Sequence, residues 1–80
     1  MIDEKKFLLN ISKCLNVNVK KISLKSKKDS IDEWDSLGHL AILTTLDKVT
    51  KGKAAKIKNI ANFKSLSQLF NLLKKAKLAK

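Results

Sequence analysis

Asp35, Ser36 and His39 bring a carboxylate, a hydroxyl and an imidazole together near the middle of an 80-residue chain. These are the three residue types of a hydrolase triad, and Ser36 and His39, three apart, lie close enough to meet on a helix surface. Asp35 directly precedes a helical pattern, however, and a carboxylate spent on capping cannot also orient the far nitrogen of that imidazole. Gly38 and Gly52 are the only glycines, so no Gly-rich turn supplies an oxyanion hole or a phosphate loop. One cysteine, Cys14, and one histidine make no tetrahedral metal set. The chain therefore reads as a non-enzyme with no metal. What remains is Ser36 in the first turn of a helix, where bare N–H groups and the positive end of the helix dipole favour an anion. A hydroxyl there is well placed to carry a phosphodiester. A plain helix-start serine is the competing reading, since short polar residues gather at such positions for capping alone.

The elements that must position Ser36 follow from periodicity and caps. Asp35 is the N-cap of a helix running from Ser36 to about Thr50, with Gly52 as its stop and Lys48 and Lys51 suiting its negative end. Its apolar set (Leu37, Leu40, Ala41, Ile42, Leu43, Leu46 and Val49) is broader than one stripe, which predicts a helix largely surrounded by protein. A first helix spans about Asp3 to Leu15, with Asp3 as cap. Phe7, Leu8, Ile11, Cys14 and Leu15 form its apolar face, so Cys14 reads as a small buried hydrophobe. Between them, residues 16–33 alternate locally, yet Lys20-Lys21 is a poor two-residue hairpin turn. An irregular loop is expected, with Val19, Ile22, Leu24 and Ile31 dipping into the core. Ser30 to Glu33 matches a capping box. Residues 54–61 form a short, weak helical patch carrying Ile57 and Ile60. A second capping box, Ser65-Leu66-Ser67-Gln68, opens a last helix with Leu69, Phe70, Leu72 and Leu73, followed by a frayed basic tail at 76–80.

The expectation is one all-α domain over residues 1–80, with a core large enough to fold alone. No stretch approaches the roughly 20 apolar residues of a membrane span, and the charged N-terminus is not that of a signal peptide. A single cysteine makes a reducing, cytoplasmic setting the default. The formal charge is +11, with eighteen basic residues, all lysine. Such a bias invites nucleic acid or an anionic membrane. The absence of arginine and the spread of lysine along the whole chain argue against specific nucleic-acid recognition.

The segment Trp34-Asp35-Ser36-Leu37-Gly38-His39-Leu40 resembles the prosthetic-group site of the acyl carrier proteins, most of all their stand-alone or specialised members. The resemblance extends from Asp3 to about Lys75. It implies a small four-helix bundle: three longer helices, one short helix at 54–61 beside the prosthetic arm, and a long loop between the first two. It implies 4′-phosphopantetheine esterified to Ser36, with Asp35, Leu37 and His39 around the attachment point and His39 helping to recruit phosphate. The arm or acyl chain is then expected in a groove formed by Ile42, Leu46, Ile57, Ile60 and Ala61. The implied function is that of a monomeric carrier, a cosubstrate that presents thioesters for a lipid, polysaccharide or secondary-metabolite pathway. Its partners are a phosphopantetheinyl transferase and acyl-loading and acyl-transferring enzymes.

The second helix departs from that family, in which it is rich in Asp and Glu. Here positions 38, 39, 41, 44, 45 and 48 are Gly, His, Ala, Thr, Thr and Lys. Electrostatic complementarity sets encounter rates and rejects wrong partners. Partners with acidic or apolar docking surfaces are therefore expected, facing Lys48, Lys51, Lys53, Lys56 and Lys58 as a basic face beside Ser36. The alternative function is a basic helical binding module that contacts nucleic acid, an anionic membrane or an acidic protein.

Overall fold

Residues 2–80 are described in a computed structural model of the chain. Three α-helices form among them: α1 (Glu4–Leu15), α2 (Ser36–Val49) and α3 (Leu66–Lys75). Each starts at a side-chain cap. Asp3 accepts from the Lys6 N–H at 2.8 Å, Asp35 from the Gly38 N–H at 2.9 Å and Ser65 from the Gln68 N–H at 3.2 Å. Each cap satisfies a backbone donor that has no partner inside its helix.

The apolar stripe of α1 is buried through Phe7, Ile11 and Leu15, with Cys14 only half-buried. Cys14 is not the plain buried hydrophobe its helical position suggests: its thiol donates to the Thr45 hydroxyl at 3.0 Å, joining α1 to α2. Phe7 packs on Phe70 of α3, ring centroids 4.9 Å apart. Ile42 and Leu46 carry α2 into the same core, and Leu66, Leu69 and Leu73 carry α3. Removing an apolar side chain of this size from water contributes about 1.5–3 kcal/mol, so each of these faces is a substantial part of the fold.

The loop between α1 and α2 is irregular. It contains short 3-10 turns at Val19–Lys21 and Lys28–Ser30, with Ile22 buried and Val19, Leu24 and Ile31 packed against the core. Ser30 does not cap α2. Its hydroxyl accepts from the Lys27 N–H and donates to the Lys27 carbonyl, closing a local turn.

Two expectations give way here. Residues 54–61 do not form one helix; they make two 3-10 turns, Ala54–Lys56 and Ile60–Asn62, separated by Asn59 in the left-handed region at φ 65°. A patch of eight residues with two β-branched side chains and an Asn has too little to offset the cost of nucleating an α-helix. The C-terminal segment is not frayed either. Ile2 donates to the Leu78 carbonyl and accepts from the Lys80 N–H, both at 3.0 Å, and Ile2 and Ala79 are buried. The apolar residues Leu78 and Ala79 fold back after Lys77 takes a positive φ of 61°, so the segment closes against the other end of the chain.

The end of α2 is fixed by Thr50. Its buried hydroxyl donates to the Leu46 carbonyl at 2.6 Å and accepts from the Ala54 N–H at 2.9 Å, fastening the next turn to the helix. Gly52 follows at φ +85°, where an L side chain is strained.

The start of α2 is fixed by close approach. A Cβ on Gly38 would lie 2.5 Å from the Glu33 carbonyl and 2.8 Å from Leu15 Cδ2 of α1. Gly38→Ala should therefore force backbone to move. Overpacking of this kind costs about 1–3 kcal/mol, and in a chain this small each kcal/mol lowers Tm by about 4–8 °C. Thermal melting followed by circular dichroism measures it; an unchanged Tm would contradict the packing at this junction.

Candidate functional site

Asp35 has extended backbone, φ −93° and ψ −166°, and turns the chain into α2. Its carboxylate takes the Gly38 N–H and its carbonyl takes the His39 N–H at 2.8 Å. The N–H groups of Ser36 and Leu37 have no intrachain acceptor among the described residues, and both side chains are exposed. The Ser36 hydroxyl likewise makes no hydrogen bond among the described residues. It stands free at a helix end whose remaining donors and dipole favour negative charge.

Beneath this turn lies a polar knot that sequence reasoning did not foresee. Trp34 is buried, and its indole N–H donates to His39 Nδ1 at 3.1 Å. An indole nitrogen only donates, so Nδ1 is the acceptor and the ring proton sits on Nε2. Nε2–H then donates to the Ala61 carbonyl at 2.8 Å. The imidazole stacks on Phe63, with centroids 4.3 Å apart and planes 20° from parallel. His39 thus ties the first turn of α2 to Trp34 and to the Ile60–Asn62 turn. Both ring nitrogens are engaged inside the chain, next to the turn that carries Ser36. A Trp directly before a cap and a His four residues beyond it was the signal.

Leu37 and Leu40 are 77% and 60% exposed, so α2 is not surrounded by protein. Its buried residues are Gly38, Ile42 and Leu46, one stripe, and the two leucines, three residues apart, stand in water together on the outer face of the helix start. The apolar residues expected to form a groove are divided by the structure. Leu46 and Ile60 line a cavity of about 200 Å³ with Leu43, Ala54 and Ala55. Ile42 is fully buried in the core, Ile57 faces a separate hollow among lysines, and Ala61 is exposed at the end of the His39 bond.

Charge is also arranged differently from the expectation. Lys48 lies twelve residues along α2 from Ser36, about 18 Å at 1.5 Å per residue, so Lys48, and Lys51 just beyond it, belong to the far end of the helix; the chain then runs back to Ala61 beside His39. No lysine occurs between Asp29 and Asp47, a stretch that holds Asp32, Glu33 and Asp35 just ahead of Ser36. The lysines near this end are Lys27, Lys28 and Lys64, which with Asp29, His39 and Phe63 line an open hollow of about 1010 Å³.

Searches against protein-family models, characterised proteins and solved structures find no match to this chain.

The Trp34–His39 pair is open to a double-mutant cycle. Trp34→Phe leaves Nδ1 without its donor and His39→Leu leaves the indole N–H without its acceptor. Each should cost about 1–3 kcal/mol, and the two should couple by at least about 0.5 kcal/mol. Denaturant melts of the four proteins give the coupling; strict additivity would mean that the bond carries no stability.

Proposed function

We propose that this chain is an acyl carrier protein that carries acyl intermediates as thioesters on a 4′-phosphopantetheine arm attached to Ser36, in a cytoplasmic lipid, polysaccharide or secondary-metabolite pathway. The observation that carries the reading is the exposed, uncommitted hydroxyl of Ser36 in the first turn of α2, within a segment that resembles the family's attachment site. In this reading the two 3-10 turns of 54–62 occupy the place of the family's short third helix, making the chain a variant of the four-helix bundle.

The residues present fit the group. The free N–H groups of Ser36 and Leu37 lie where the phosphodiester oxygens of a substituted Ser36 would need donors. Asp35 does not compete for those donors, because its carboxylate is taken up by Gly38. When bound, the group supplies a thiol on a flexible arm that holds an acyl chain as a thioester. The apolar hollow bounded by Leu43, Leu46, Ala54, Ala55 and Ile60 offers that chain a resting place beside α2. Leu37 and Leu40 flank the attachment point in water, an apolar pair awaiting a partner surface. The transferase and acyl-transferring enzymes that serve Ser36 therefore present an apolar recess at the start of α2. Where they extend to the lysines beyond its far end, they present acidic groups.

Loading by a broad-specificity phosphopantetheinyl transferase with coenzyme A, read by intact mass, tests this. The wild type should gain one group and Ser36→Ala none, with the helical spectrum of the mutant unchanged. Ser36 sits after the cap, so its loss costs only a few tenths of a kcal/mol, against about 1 for removing a cap. A Ser36→Ala protein that is still modified would overturn the assignment. Leu40→Glu checks the docking face. An exposed position changes stability by no more than about 0.5 kcal/mol, so loading should slow while Tm holds. Equal loading rates would remove Leu40 from the interface.

A further inference from the structure

The end of the molecule opposite Ser36 has its own chemistry, which the attachment of a group to Ser36 does not require. From Lys48 to Lys80 the chain carries lysines and no acidic side chain. The fold gathers many of them at one pole, where α2 and α3 end. Lys53, Lys56, Lys58 and Lys75 ring a hollow floored by Ile57 and Leu72. Next to it, sharing Lys53, a second hollow has Lys51 and Lys77 on its rim and Val49 and Leu78 in its floor. All of these lysines are exposed, and Val49 is 43% exposed. Lysines at helix C-termini commonly balance the helix dipole, which accounts for Lys48, Lys74 and Lys75. It does not account for Lys51, Lys53, Lys56 and Lys58, which lie beyond the end of α2.

We propose that this pole docks on a bilayer rich in anionic phospholipid, with its lysine ammonium groups on headgroup phosphates and Val49, Ile57 and Leu78 at headgroup depth. Three features favour a lipid surface over a nucleic acid. Lysine is a flexible point charge that reaches to phosphate while its stem covers apolar surface, and the arginine fork that reads bases is absent from the chain. The chain's aromatic rings, Trp34, Phe7, Phe63 and Phe70, are all buried, so none is left to stack on bases. The basic side chains also alternate with apolar ones, the composition of an interfacial membrane site. In the docked orientation α2, with 14 residues and a length of about 20 Å, stands between the bilayer and its first turn. Ser36, Leu37 and Leu40 then face the water and remain open to enzymes. The proposal does not depend on Ser36 being modified.

Flotation with phosphatidylcholine vesicles, with and without phosphatidylglycerol, tests it. The protein should float with the anionic vesicles and not with the neutral ones, and high salt should release it. Each lysine near an anionic surface contributes about 1 kcal/mol, so Lys53→Gln/Lys56→Gln/Lys58→Gln should lower partitioning about a hundredfold. The triple Lys20→Gln/Lys21→Gln/Lys25→Gln removes equal charge from the loop after α1 and should lower it by less than about tenfold. Three results would overturn the proposal. One is no flotation with anionic vesicles, and another is an equal fall for both triples, which would reduce the effect to net charge. The third is tighter binding to duplex DNA than to anionic vesicles at the same salt, which would make the pole a nucleic-acid surface.

Discussion

An indole buried under the first turn of a helix must hand its one hydrogen to an acceptor, and at Trp34 that acceptor is His39. The arrangement of the whole serine end depends on this bond. An unpaired buried donor costs about 1–3 kcal/mol, a large share of the roughly 5–15 kcal/mol that holds a small protein folded. By accepting from Trp34 and donating to the Ala61 carbonyl, His39 joins the loop before α2, the helix and the turn at 60–62. Phe63 covers the imidazole face, and Gly38 lets the turn close onto Glu33 and Leu15. The start of α2 is thereby held from three sides, which leaves Ser36, Leu37 and Leu40 as the exposed part of a rigid turn.

At its other end α2 is fastened by Thr50, whose hydroxyl bridges the last turn to Ala54. The helix is a strut between two chemically different poles. Carboxylates and exposed leucines surround its beginning; lysines over apolar hollows surround its end. A net charge of +11 hides this division. At physiological ionic strength charges separated by more than about 8 Å are largely screened from each other. A partner at Ser36 therefore senses the local carboxylates and the nearby Lys27, Lys28 and Lys64 far more than the lysines past the end of α2.

Much of the architecture was legible because it is local. Asp3, Asp35 and Ser65 announce their helices by residue type, and a cap acts within three residues. The four-residue spacing of Phe7, Ile11 and Leu15 likewise names the buried face of α1. What escaped depends on contacts distant in sequence. Nothing local separates the exposed Leu37 and Leu40 from the buried Ile42 and Leu46; only the direction from which α1 approaches decides it. The closure of Leu78 and Ala79 onto Ile2 joins opposite ends of the chain. Lys48 and Lys51 were grouped with the serine's surroundings because sequence distance was read without the rise of the helix between them. Of the site, the serine, its cap and the flanking leucine were named in advance. The role of His39 was not, since a histidine's partners are set by the fold around it.

The central claim is that Ser36, the first residue of α2, is an attachment point and not only a helix-start serine. The intact mass of the protein purified from the cell that makes it, followed by fragmentation across residues 34–40, tests this most directly. A population carrying one 4′-phosphopantetheinyl group localised to Ser36 is the predicted result. Protein that is uniformly unmodified in cells actively using such carriers, or modified at another residue, would contradict it.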